Sequence, residues 1–196
     1  MERTFGFDTA VQIAANALKA AHTEATAARN GIGVVKLMGR EAGFISAHAT
    51  LASLDVNFCL IPEVPFALGG PGGLLESVES RLRRAGHALI VVAEGCGLGL
   101  AGDDAERDAS GNLRFASKVL DIGPRLSAEL SSHFEARALP VTLKYIDPSY
   151  LIRSVAANAS DNRHCDVLAR HAVHAAMAGK TDGQSALQAD QASARS

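Results

Sequence analysis

The chain has 196 residues, 47% of them hydrophobic and 20% charged, with a formal net charge of −2. That is enough for one α/β domain with a real core. With no tryptophan and 5% aromatics, the core must rest on Val, Ile, Leu and Ala. The near-neutral balance excludes the basic footprint that attracts nucleic acid or an anionic membrane, so the expected partner is a small molecule.

Asp8 can cap a first helix whose apolar positions include Val11, Ala14, Ala15, Leu18 and Ala21, and Asn30-Gly31 suits a left-handed exit. A short apolar strand, Val34 to Met38, follows. Gly39 then allows a sharp turn, and a helix opening near Glu41 runs through Phe44, Ile45, Ala47, His48, Leu51 and Ala52. Strand Phe58 to Ile61 stops at Pro62, Gly69 to Gly73 forms a loop, and helix Leu74 to Ala85 ends at Gly86. Ala88 to Ala93 has no polar alternation, as expected of a strand buried on both faces of a parallel sheet. Gly95 to Arg114 is a long Gly/Asp/Ser-rich segment, the one candidate lid or linker. Helix Val119 to Ala136, strand Val141 to Tyr145 and a helical stretch from about Tyr150 to Gly179 complete the pattern.

The expected fold class is α/β, an open and mainly parallel sheet with helices on both faces. Residues 1–179 form one domain, and 180–196, rich in Gln, Ala, Ser and Asp without periodicity, read as a disordered polar tail. Cys59, Cys96 and Cys165 are widely spaced in apolar runs, which fits reduced thiols of a cytoplasmic protein. No basic-then-apolar leader opens the chain, and no apolar run reaches the roughly 18 residues of a membrane helix.

In open parallel sheets, ligands bind beyond the carboxyl ends of the strands. Those ends carry Gly39-Arg40, Pro62-Glu63-Val64-Pro65, Glu94-Gly95, and Asp147-Pro148 followed by Tyr150 and Arg153. Strand, glycine, arginine and helix start follow one another at Met38 to Glu41, which would point free N–H groups and a guanidinium fork at an anion. Two arginines, carboxylates and a tyrosine on one edge suit an anionic, hydroxyl-bearing ligand such as a sugar phosphate; paired loop charges are the plainer reading.

Several segments are then recognisable together. Val34-Val35-Lys36-Leu37-Met38-Gly39-Arg40, Cys59-Leu60-Ile61-Pro62-Glu63-Val64-Pro65-Phe66, Ala93-Glu94-Gly95 and Lys144 to Arg153 resemble the phosphofructokinase family, most closely its plant-type branch. Ala157 to Asn162 and Ala175 to Gly179 extend the similarity, which runs from about Thr4 to Gly179. The resemblance implies part of the Rossmann-like phosphofructokinase fold. It also implies that Met38, Gly39 and Arg40 contact fructose 6-phosphate, with Arg40 near the phosphoryl group in transit. Glu94 would meet the sugar hydroxyls, and Tyr150 and Arg153, one helical turn apart, the 6-phosphate. Lys144 would correspond to a basic residue contributed across a dimer interface, making the protein a homo-oligomer.

Family catalysis transfers a phosphoryl group from Mg2+-bound ATP, or from pyrophosphate, to the sugar 1-hydroxyl, giving fructose 1,6-bisphosphate in glycolysis. Its aspartate base and glycine-rich donor site would fall upstream of Met1, and the sequence after Gly179 also leaves the family pattern, so both ends look cut. An acceptor half alone should turn over little substrate. The alternative reading is a non-catalytic sugar-phosphate-binding or interaction module derived from a truncated paralogue.

Other features read blandly. On a helix, Cys165, Leu168, Ala169, Ala172 and Ala176 form an apolar stripe, placing His164, His171 and His174 on the solvent side without ligand spacing. His87 reads as a loop residue. Asp103-Asp104, Glu106 and Asp108 lack calcium-loop spacing, and Gly95, Gly97 and Gly99 are not followed by a capped helix.

Overall fold

The computed structural model describes residues 4–97 and 121–180. In chain order the elements are α1 (Phe7–Ala27), β1 (Gly31–Leu37), α2 (Phe44–Ser53), β2 (Phe58–Leu60), α3 (Leu74–Ala85), β3 (His87–Ala93), a 3-10 turn (Glu94–Gly97), α4 (Ile122–Ala136), β4 (Thr142–Ile146), α5 (Ser149–Ser154) and α6 (Ala159–Met177). They fall into two compact units, Val11–Arg153 and the paired terminal segments Met1–Ala10 and Ser154–Ser196.

The larger unit is built on a four-stranded, wholly parallel sheet in the order β2-β3-β1-β4. From β1 the chain steps outward to β2 and then back to β3. Right-handed crossovers send the helices of these two opposed steps to opposite faces. On one face Ile32, Val34, Ala88, Ile90 and Val92 meet Val78 and Leu82 of α3 and Leu126, Leu130 and Phe134 of α4. Each fully buried Leu or Phe of this layer stabilises the fold by about 1.5–3 kcal/mol.

On the other face α1 lies directly on β1. A Cβ at Gly31 would stand 2.1 Å from the Ala25 carbonyl oxygen, and one at Gly33 would stand 2.9 Å from Leu89 Cδ1. These glycines therefore belong to the strand, which starts at Gly31 rather than Val34. The left-handed exit from α1 falls on Asn30 alone, at φ 50°. Every residue of β3 after His87 is buried, as its unbroken apolar run predicts, and His87 opens that strand instead of lying in the loop.

Other boundaries also differ from expectation. Asp8 lies inside the first turn of α1, so it is not the residue before the helix. The helix expected near Glu41 begins at Phe44, because Arg40 has a left-handed backbone, φ 52°, that cannot continue a helix. The stretch from Tyr150 to Gly179 is two helices, α5 and α6, separated where Asn158 caps α6 by accepting from Asp161 N at 2.9 Å. The candidate lid beyond Gly97 and the polar tail beyond Lys180 lie outside the described residues.

In the smaller unit the buried Asp161 carboxylate takes the Thr9 backbone N–H at 2.7 Å and the Thr9 hydroxyl at 2.5 Å through Oδ2. The Ser160 hydroxyl donates to Asp8 Oδ2 at 2.8 Å. His164 is buried, contrary to the solvated position read from sequence, while His171 and His174 are exposed. The reason is the orientation of α6: it buries Asp161 and His164, and Ala169, Ala172 and Ala176 of the expected apolar stripe are exposed.

Candidate functional site

The carboxyl ends of β1 and β3 are level, since Leu37 pairs with Ala93, so the loop after β1 faces the turn after β3. Glu94 opens that turn and binds the loop: its Oε1 accepts from Gly39 N at 3.1 Å and Arg40 N at 2.5 Å. Glu63, beyond β2, does the same further on, accepting from Gly43 N at 2.8 and 3.1 Å through its two oxygens. The backbone N–H groups of Gly39, Arg40 and Gly43 are thus held by the protein's own carboxylates. The Arg40 side chain is exposed.

Two close approaches shape this loop. A Cβ on Gly95 would stand 2.4 Å from the Arg40 carbonyl oxygen, and one on Gly43 would stand 2.4 Å from Ile61 side-chain atoms. Glycine is required at both places by contact with neighbouring chain. Met38 is half-buried at the strand end.

β4 lies next to β1, and its end carries the second cluster. Asp147 Oδ1 accepts from Ser149 N at 3.0 Å, starting α5, whose buried Ile152 anchors the helix. Tyr150, 80% exposed, and Arg153, also exposed, stand one turn apart on that helix. Lys144 is placed differently. It pairs with Gly33, four residues back from Leu37, or about 13 Å at ~3.3 Å per residue. It is exposed on an edge strand and is not gathered with the strand-end groups.

Between the clusters lies a charged group that the sequence pattern alone did not single out. Lys36 Nζ is 3.0 Å from Asp121 Oδ1 and 2.8 Å from Asp147 Oδ2, with 14% of the lysine side chain exposed. Burial alone would lower the ammonium's pKa, but the bonds to Asp147 and Asp121 outweigh it and hold the group above the ordinary lysine value. For Asp147, burial pushes upward, yet the bonds from Lys36 and Ser149 win and its carboxyl is held below the usual range. Burial raises the pKa of the neighbouring Tyr145 hydroxyl, against the opposing pull of the Lys36 charge. The signal in the sequence is that Lys36 is the one charged residue of an otherwise apolar strand.

A wholly parallel sheet with helices on both faces and polar groups beyond its carboxyl ends is the architecture of α/β proteins that bind ligands at that edge. The phosphofructokinase family model matches residues 1–176, and the chain belongs to the phosphofructokinase family. It is 54% identical over 185 residues to "ATP-dependent 6-phosphofructokinase 1" of Arabidopsis thaliana, covering 91% of this chain and 38% of that protein. With the ATP-dependent 6-phosphofructokinase of Borreliella burgdorferi it shares 49% over 188 residues, 92% of this chain and 41% of that one. The chain therefore spans about two fifths of the length of these relatives. Among solved structures, phosphofructokinase from Saccharomyces cerevisiae superposes with a TM-score of 0.63 at 20% identity, covering 93% of this chain and 21% of that one. That likeness concerns the fold. No helix among the described residues is long and apolar enough to cross a membrane.

Proposed function

We propose that this chain binds fructose 6-phosphate as the acceptor-binding part of a 6-phosphofructokinase, in which the sugar 1-hydroxyl receives a phosphoryl group to give fructose 1,6-bisphosphate in glycolysis. The observation that carries the reading is the Met38-Gly39-Arg40 loop, pinned by Glu94 so that Arg40 projects from the ligand edge of the sheet. Arg153 and the Tyr150 hydroxyl take the 6-phosphate from α5, a fork of donors and a neutral donor one turn apart. Arg40 faces the reacting end, where its fixed charge stabilises the phosphoryl group in transit. Met38 forms an apolar wall, and Glu94, with Oε1 committed to the loop, offers its second oxygen to a sugar hydroxyl. Lys144, exposed and apart from these groups, serves the site of a second copy in a cytoplasmic homo-oligomer.

The name of the Arabidopsis relative favours ATP over pyrophosphate as donor. When bound, Mg2+ and ATP would supply the phosphoryl group and neutralise its charge. Among the described residues no three His, Cys, Asp or Glu side chains converge as a metal site. These residues bind and orient the acceptor.

Titration calorimetry with fructose 6-phosphate tests the proposal. Charge-assisted bonds to a phosphate contribute about 1.5–3 kcal/mol, so Arg153→Ala should weaken binding by about 10- to 100-fold. Equal affinity of wild type and Arg153→Ala would remove the basis of the assignment.

A further inference from the structure

Lys36 is a charge inside an apolar strand, where a leucine would pack without desolvating an ammonium. Both of its carboxylate partners also start a helix. Asp121 Oδ1 accepts from Gly123 N, capping α4, and Asp147, through its other oxygen, starts α5 at Ser149. The strand register explains the reach, for Val35 pairs with Ile146 and the next residues on each chain are Lys36 and Asp147. The ammonium thus ties together the end of β1, two residues before Met38, the start of α4 and the start of α5.

We propose that Lys36 is a positioning residue for sugar-phosphate binding, fixing α5 so that Tyr150 and Arg153 face the same ligand as Arg40. This rests on the function proposed above for the site. Without the ammonium, Asp121 and Asp147 would be left as like charges at the same place, and their repulsion would act on the start of α5. Lys36 itself need not touch the ligand. Its influence passes through Asp147 and Ser149 to the helix that carries Arg153.

Two measurements on the whole chain test this. In ligand-free protein, Lys36→Met should speed amide exchange selectively in Ser149 to Arg153, by tenfold or more, while the amides of β3 stay protected; unchanged exchange in α5 overturns the proposal whether or not the sugar binds. With fructose 6-phosphate, calorimetry on Lys36→Met, Arg153→Ala and the double variant should show a non-additive cycle. Lys36→Met should weaken wild-type binding about tenfold but do little once Arg153 is gone. Additive losses would mark Lys36 as a general structural residue and overturn the proposal. Lys36→Arg, which keeps the charge, should restore most of the affinity. If Lys36→Met does not fold, Asp147→Asn removes the same ion pair with little change in shape and must give the same two results. Should wild type fail to bind the sugar phosphate, the function proposed above falls, and the exchange experiment still decides the role of Lys36 in holding α5.

Discussion

Substitution of Gly95 by alanine is a sharp test of how the Arg40 loop is held. The new methyl would stand 2.4 Å from the Arg40 carbonyl oxygen, 3.1 Å from Glu41 Cα and 3.2 Å from Pro62 Cγ. Real Cβ contacts are not found below 3.0 Å, so the loop and the turn must separate by at least 0.6 Å, the difference between 3.0 and 2.4 Å. The atom in the way is backbone, so no rotamer change relieves it. Overpacking of this kind costs about 1–3 kcal/mol. At about 2–4 °C per kcal/mol for a chain of this size, the melting temperature should fall by about 2–12 °C. The same displacement loosens the bonds from Glu94 Oε1 to Gly39 and Arg40, and calorimetry should show fructose 6-phosphate bound at least about tenfold more weakly, as misplacement of a gripping group implies. Gly69→Ala is the control, because a Cβ there meets nothing within 4 Å. If Gly95→Ala melts and binds like that control, the close approach does not hold the loop and the reasoning fails.

Two other outcomes are expected. Asp147 is held below the usual carboxylate range when folded, so its contribution is present above the unfolded value of about 3.9 and is lost as pH falls through the folded value. Lys36 is held above its ordinary value, so its contribution is lost only at strongly alkaline pH, as pH rises through the raised value. The stability difference between wild type and Lys36→Met, measured by denaturant titration, should therefore be flat from about pH 5 to 9 and shrink below about pH 4; a change centred near neutral pH would contradict the ion-pair account. Asp161→Ala should destabilise the smaller unit by about 1–3 kcal/mol, because the Thr9 N–H and hydroxyl lose their shared acceptor. Exchange of the Thr9 amide is the check, and unaltered protection would show that the pairing contributes nothing.

The sheet and the ends of its strands were legible because the physics behind them is local. An unbroken apolar run such as Ala88 to Ala93 can only be buried on both faces, and glycine or proline after each strand marks where the chain turns. Long-range polar contacts leave no such periodic trace. Nothing near Arg40 shows that Glu94, 54 residues away, occupies its backbone N–H. Nor does the spacing of alanines on α6 reveal that a carboxylate bound to Thr9 sets which face of that helix is buried. Gly31 misled for a related reason: glycine after a helix signals an exit, but here it answers the contact with Ala25. Lys36 was passed over although it is the one charge in its apolar strand, because nothing local marks Asp121 and Asp147 as its partners.

If Arg40 binds the ligand as proposed, its left-handed backbone sets stability against binding at a single position. A non-glycine residue at φ 52° costs about 1–2 kcal/mol, which glycine would recover. A library of this chain selected only for resistance to heat should accordingly drift toward Arg40→Gly, and one selected for retention on an immobilised sugar phosphate should keep the arginine. The two enrichments, read from the same starting pool, would measure how much folding stability the chain gives up to aim one guanidinium.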